Sequence, residues 1–209
     1  MDYSEKTTHL LNNGLDDTLV LALLNLTDET FAHCTRVHDL AMTLGIQMGL
    51  STRELAKLRL GALLHDIGKQ FIPPEVLHKQ TPLTPDEWGQ MEMHSVHGWQ
   101  LASSLELDDA VGRIILEHHV WANGQGGYPQ NSHGIVPCIL TQITTVADVA
   151  DAMTSDRPYR SALSFTACID HLEECQGTRF NRDIVRVFKN ISSRGFSDMA
   201  VLEDAKGCF

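Results

Sequence analysis

The chain predicts an all-α fold, and three observations carry that reading. Apolar residues recur at three- and four-residue spacing, as in Phe31, Val37, Leu40, Ala41, Leu44 and Met48. Helix starts are announced by caps: Ser51 with Glu54 forms a capping box, and Thr84-Pro85-Asp86-Glu87 sets a cap, a first-turn proline and two acids in order. No segment shows sustained strand alternation, and no internal repeat or low-complexity tract is present.

Taken in order, residues 1–14 are polar, and Leu15 to Leu26 is a short amphipathic helix with Asp16 and Asp17 at its positive end. A second helix spans about Asp28 to Met48. Gly49 ends it, since glycine accepts the left-handed conformation common after a helix. A third runs from Ser51 to about His65. Pro73-Pro74 is expected to stop regular structure, and 79–82 to be loop. The helix opened by Thr84 carries His94 and His97 and fades near Ser103, and Asp108-Asp109 opens another that runs to His118-His119. Trp121 to Pro137, with Gly124, Gly126, Gly127 and Gly134, is loop. Helices follow over Ile139 to Met153 and from about Ser164 and Asn181. The expected organisation is a tail and short helix over 1–26, one domain over 27–192, and a tail over 193–209.

Composition removes several classes of function. The chain has 209 residues with a formal net charge of -11, which excludes sequence-independent binding to duplex nucleic acid, since that rests on clustered Lys and Arg. An anionic substrate would need positive charge from elsewhere, and bound metal ions are the obvious source. The five cysteines are odd in number and lack a C-x-x-C pair, so they read as reduced thiols of a cytoplasmic protein. Leu19 to Leu24 is too short to span a bilayer, so no membrane partner is expected.

Chemistry concentrates around His65-Asp66, which follow the apolar run Leu63-Leu64 and precede Gly68 and Lys69. Neutral imidazole offers a nitrogen donor, and a carboxylate can bridge two cations with its two oxygens. Four other sites offer ligands: Glu29 and His33, four apart on one helix face; His94; His118-His119; and Asp148, in the apolar surround Val146-Ala147. Singly, each has an ordinary structural explanation. Together they supply five imidazoles and three carboxylates, enough with water for two or three divalent cations. Three carboxylates against two or three such ions leave the site positive by roughly one to three charges.

The ordered set His65-Asp66-Ile67-Gly68-Lys69, His118-His119, Gly127-Tyr128-Pro129 and Asp148 through Asp151 to Arg157 and Arg160 resembles the HD-GYP family, a branch of the HD-domain metal-dependent phosphohydrolases. The resemblance covers about residues 27–190 and implies an HD-domain helical bundle of about seven to nine helices. It implies hydrolysis of a cyclic dinucleotide (cyclic di-GMP, with cyclic GMP-AMP as a related substrate) to the linear dinucleotide or mononucleotides. By the same resemblance the metal ligands are His65, Asp66, His94, His118, His119 and Asp148, with Glu29 and His33 as the pair added in trinuclear members. The ions would be iron or manganese. Asp66 and Lys69 would be catalytic, Lys69 on the scissile phosphate, and Tyr128, Asp151, Arg157 and Arg160 would contact substrate. A diguanylate cyclase is a candidate protein partner. The chain departs from the family pattern with Val120 in place of a glutamate, Asn123 in place of an aspartate, and a loop one residue longer before Tyr128. Two rival readings stay open: another HD-domain nucleotide phosphohydrolase, and a non-catalytic cyclic-dinucleotide sensor or interaction module.

Overall fold

A computed structural model describes residues 17–156 and 161–193, and among these it contains nine α-helices, two 3₁₀ turns and no strand beyond isolated bridges. The helices are α1 Asp17–Leu24, α2 Asp28–Gln47, α3 Thr52–Leu64, α4 Pro74–Leu77, α5 Pro85–Ser104, α6 Asp109–Glu117, α7 Ile139–Thr154, α8 Phe165–Glu174 and α9 Arg182–Ser193. None of the described helices is long and apolar enough to cross a membrane.

Local chemistry sets most boundaries. The expected capping box of Ser51 with Glu54 forms, and the expected Thr84 cap is also a capping box, with Glu87; each satisfies two otherwise orphaned backbone donors. After α2 the Leu50 amide donates to the Gly45 carbonyl and the Gly49 amide to that of Ile46, with Gly49 at φ +75°. That pattern closes the exposed carbonyls of the last turn. One expectation fails. Pro73-Pro74 does not end regular structure: a 3₁₀ turn covers Ile67–Phe71 just before it, and Pro74 itself opens α4. Proline at the first helical position gives up only an amide that had no intrahelical partner.

Two apolar clusters hold the bundle. The larger joins α2 (Val37, Ala41, Leu44), α3 (Leu58, Ala62) and α7 (Ile143, Val146, Ala147) to Phe180 and Phe188. The smaller packs α1 against Leu63, Leu64, Ile67, Ala102 and Ile115. Helix α7 runs through the middle with eleven of its sixteen residues buried, Asp148 and Asp151 among them. Buried carboxylates on a central helix need partners, and the ends of the surrounding helices supply them.

Candidate metal centre

His65 caps the end of α3, His118 caps the end of α6, and His94 lies inside α5. Each donates its Nδ1–H to the backbone carbonyl three residues earlier: His65 to Ala62 at 2.8 Å, His94 to Met91 at 2.7 Å, His118 to Ile115 at 2.8 Å. A carbonyl only accepts, so the proton sits on Nδ1 and each Nε2 keeps a bare lone pair. Those lone pairs converge. Nε2 of His94 and of His118 face each other at 3.3 Å, and Nε2 of His94 lies 3.3 Å from Asp66 Oδ1. The Nε2 of His65 is buried without a hydrogen-bond partner. Acceptors gathered without a donor cost about 1–3 kcal/mol each, and a cation among them reverses the sign. These residues fit a divalent metal.

The opposite side is rich in carboxylates. His33, on α2, has its Nε2 3.1 Å from Asp148 Oδ1 and 3.6 Å from Asp66 Oδ2, while its Nδ1 meets Asp151 Oδ2 at 2.7 Å. Asp66 Oδ2 is also 3.5 Å from His65 Nε2 and 2.5 Å from Lys69 Nζ. One oxygen of Asp66 therefore faces His94 and the other faces His65 and His33, as a carboxylate shared by two cations would be placed. Asp148 reaches His65 and His119 at 4.0 Å. Three donor sets lie close enough to hold an ion: His94 with His118 and His119; His33 with His65 and Asp66; His65 with His118 and Asp148.

Protonation divides the same way. Burial pushes His94 down to about 4 and His118 to about 3, the latter helped by the neighbouring His65 and His94, and it holds His119 well below the usual histidine range. Burial also pulls at His33, but its bonds to Asp148 and Asp151 prevail and raise it to about 9. Burial would raise Asp66 and Asp148 as well. Lys69 and the histidines hold Asp66, and His33 holds Asp148, well below the ordinary carboxylate range.

A glycine lets the two histidine-bearing elements meet. A Cβ on Gly68 would collide with the His94 carbonyl oxygen and stand 2.5 Å from the Gly98 amide nitrogen. The turn after Asp66 can press onto α5 only because Gly68 has no side chain. Thr145 Oγ1 donates to the His118 carbonyl at 2.7 Å, tying α7 to the end of α6.

Seven of the predicted ligands therefore meet: His33, His65, Asp66, His94, His118, His119 and Asp148. Glu29, one turn before His33 on α2, is exposed and outside the three donor sets. The Tyr128 ring packs on His119 at 4.4 Å between centroids and lies 6.0 Å from His94, forming one wall of the centre. Burial pushes its phenol up, which keeps it protonated. Arg157 and Arg160 lie outside the described residues. Asp151 is bonded to His33 and to Arg36, a residue that sequence reasoning missed although it lies three positions beyond His33. The departures in the loop have local explanations. Val120 is buried and bridges to Gly127, and the Asn123 side chain accepts the Gln125 amide at 2.9 Å, closing a turn as an aspartate could.

Comparison with known proteins gives the family and the fold. The family model described as an HD domain matches residues 18–184. The cyclic di-GMP phosphodiesterase response regulator RpfG of Xanthomonas campestris pv. campestris is 37% identical over 154 residues, covering 73% of this chain and 40% of the relative. The 3′3′-cGAMP-specific phosphodiesterase 3 of Vibrio cholerae is 32% identical, covering 69% of this chain and 31% of the relative. The chain thus spans less than half the length of either. Among solved structures, a cyclic GMP-AMP specific phosphodiesterase of V. cholerae (V-cGAP3) superposes with a TM-score of 0.62 at 21% identity, over 83% of this chain and 47% of that one, which shows a shared fold.

Proposed function

The chain belongs to the HD-domain family, with the ordered motifs of its HD-GYP branch, and from that premise we propose that it hydrolyses a cyclic dinucleotide, cyclic di-GMP or the related cyclic GMP-AMP. One observation carries the reading: bare imidazole nitrogens and a two-sided carboxylate converge from helices far apart in sequence, with a lysine and a tyrosine at the edge.

Two divalent ions, iron or manganese, suit the donor set of imidazoles with carboxylates. His94, His118 and His119 would hold one ion, and His33, His65, Asp66 and Asp148 on the opposite side would hold the other, with the second oxygen of Asp66 facing His94. Bound there, such ions polarise phosphoryl oxygens and lower the pKa of water to give a nucleophile at neutral pH. The rest belongs to the protein. Lys69 stays charged, because Asp66 beside it outweighs its burial, and it puts a cation where charge develops on the phosphoryl oxygens. The protonated Tyr128 hydroxyl can donate to substrate while its ring fixes the His119 imidazole. Hydrogen bonds inside the bundle orient His33, His65, His94 and His118 before substrate arrives, so little reorganisation of these ligands is needed.

The test is product analysis. Protein loaded anaerobically with Fe(II) or Mn(II) is incubated with cyclic di-GMP, cyclic GMP-AMP and a nucleoside phosphate panel, then chromatographed. Linear dinucleotide or mononucleotide from a cyclic dinucleotide is expected. Tight binding without turnover by fully loaded protein would turn the chain into a sensor, and turnover of the nucleoside phosphates alone would make it a different hydrolase.

A further inference from the structure

We propose that Arg36 and Asp151 form a strap that orients His33 as a metal ligand, so that Asp151 serves the metal centre and not the substrate. This inference rests on the metal-dependent reading above and goes beyond it by assigning residues outside the ligand set.

Asp151 is buried, and both of its oxygens are occupied. Oδ1 accepts from Arg36 Nε at 2.6 Å and from Ser155 Oγ at 3.1 Å; Oδ2 accepts from His33 Nδ1 at 2.7 Å and from Arg36 Nη2 at 3.0 Å. The guanidinium grips the carboxylate with two parallel bonds, the geometry that fixes a carboxylate most firmly in orientation. A carboxylate so engaged has little left to offer a ligand.

The contrast with the other histidines gives the strap its purpose. His65, His94 and His118 are each oriented by a carbonyl of the chain three residues back, so their tautomer is set locally. The ring of His33 is set from 118 residues away, by a carboxylate on α7. With Nδ1–H committed to Asp151, Nε2 points at Asp148 Oδ1 and Asp66 Oδ2. Arg36 lies one turn beyond His33 on α2, with its side chain half-exposed, and closes the arrangement from the solvent side. Partners of this kind, one bond removed from the metal, typically change metal affinity by about 10–100-fold when lost. Arg36 and Asp151 are positioning residues, acting through His33.

The experiment uses the full chain as Arg36→Ala, Arg36→Lys and Asp151→Asn, titrated with Mn(II) and followed by electron paramagnetic resonance, with metal content measured after dialysis. Arg36→Ala is expected to weaken one of two Mn(II) sites about 10-fold while helical circular dichroism is unchanged. Arg36→Lys, which keeps the charge but not the fork, should recover part of the loss. Asp151→Asn should match or exceed Arg36→Ala, and KM for cyclic di-GMP in Mn-saturated protein should stay as in the wild type. Should Arg36→Ala lose helicity, Arg36→Lys and Asp151→Asn decide. Wild-type Mn(II) affinity in Arg36→Ala, or a raised KM with undiminished Mn(II) affinity in Asp151→Asn, overturns the strap alone. A wild-type chain that takes up no Mn(II) overturns the metal-centre reading, and the strap with it.

Discussion

His94, His118 and His119 crowd one half of the centre, whereas His33 in the other half stands among Asp66, Asp148 and Asp151. The first half is kept neutral by burial and by mutual repulsion of imidazoles; the second is drawn toward protonation by its acids. Metal entry therefore has different requirements on the two sides. His94 and His118 have their lone pairs ready at any pH above about 4, and burial holds His119 well below the usual histidine range, while His33 must surrender a proton before its Nε2 can bind an ion. Asp66 joins the halves, one oxygen to each.

The severest way to break this picture is Asp66→Ala, which removes the shared carboxylate and strands Lys69 without its partner. Loss of metal from both halves is expected, with turnover of cyclic di-GMP at background and a folded helical chain. Two tightly held ions by elemental analysis in this variant would show that nothing joins the halves. The comparison is sharpened by His94→Ala against His33→Ala. Each should cost one ion of two, and the His33→Ala chain should keep its remaining ion to lower pH than the His94→Ala chain does. If either substitution empties the centre entirely, the halves are one cooperative unit.

The gentlest probe is the pH dependence of metal-free stability in urea. His94 and His118 have folded values below the unfolded value of about 6.5, so their contribution is complete above that pH and is lost as pH falls toward about 4 and about 3. Each should cost roughly 1 kcal/mol per pH unit within its window. His33 has the opposite sign: its contribution is complete below about 6.5 and fades as pH rises through about 9. The alkaline decline should vanish in His33→Ala and persist in His118→Ala, read as urea midpoints.

Much of this was legible because it is local. Helical period, the Ser51 capping box, the Thr84 cap and the stop at Gly49 each depend on residues within one turn of each other, and the structure follows them. The imidazoles announced themselves by chemical type. Other features had no local signal. Gly68 looks like any turn glycine until α5 lies against it, and Arg36 looks like a solvated helix residue until Asp151 arrives from 115 positions later. Glu29, at ligand spacing from His33, is exposed where His33 is buried, a difference that spacing alone does not signal.

The sequence alone determined that this is a helical chain with the residues for a metal centre and the ordered motifs of a phosphohydrolase family. Only the tertiary structure decided which of those residues face one another, which oxygen of Asp66 meets which histidine, and what holds His33 in place. Side-chain chemistry and helical period are properties of a few neighbouring residues. The meeting of lone pairs from α2, α3, α5, α6 and α7 depends on how five helices pack, and that packing is fixed by the whole core at once.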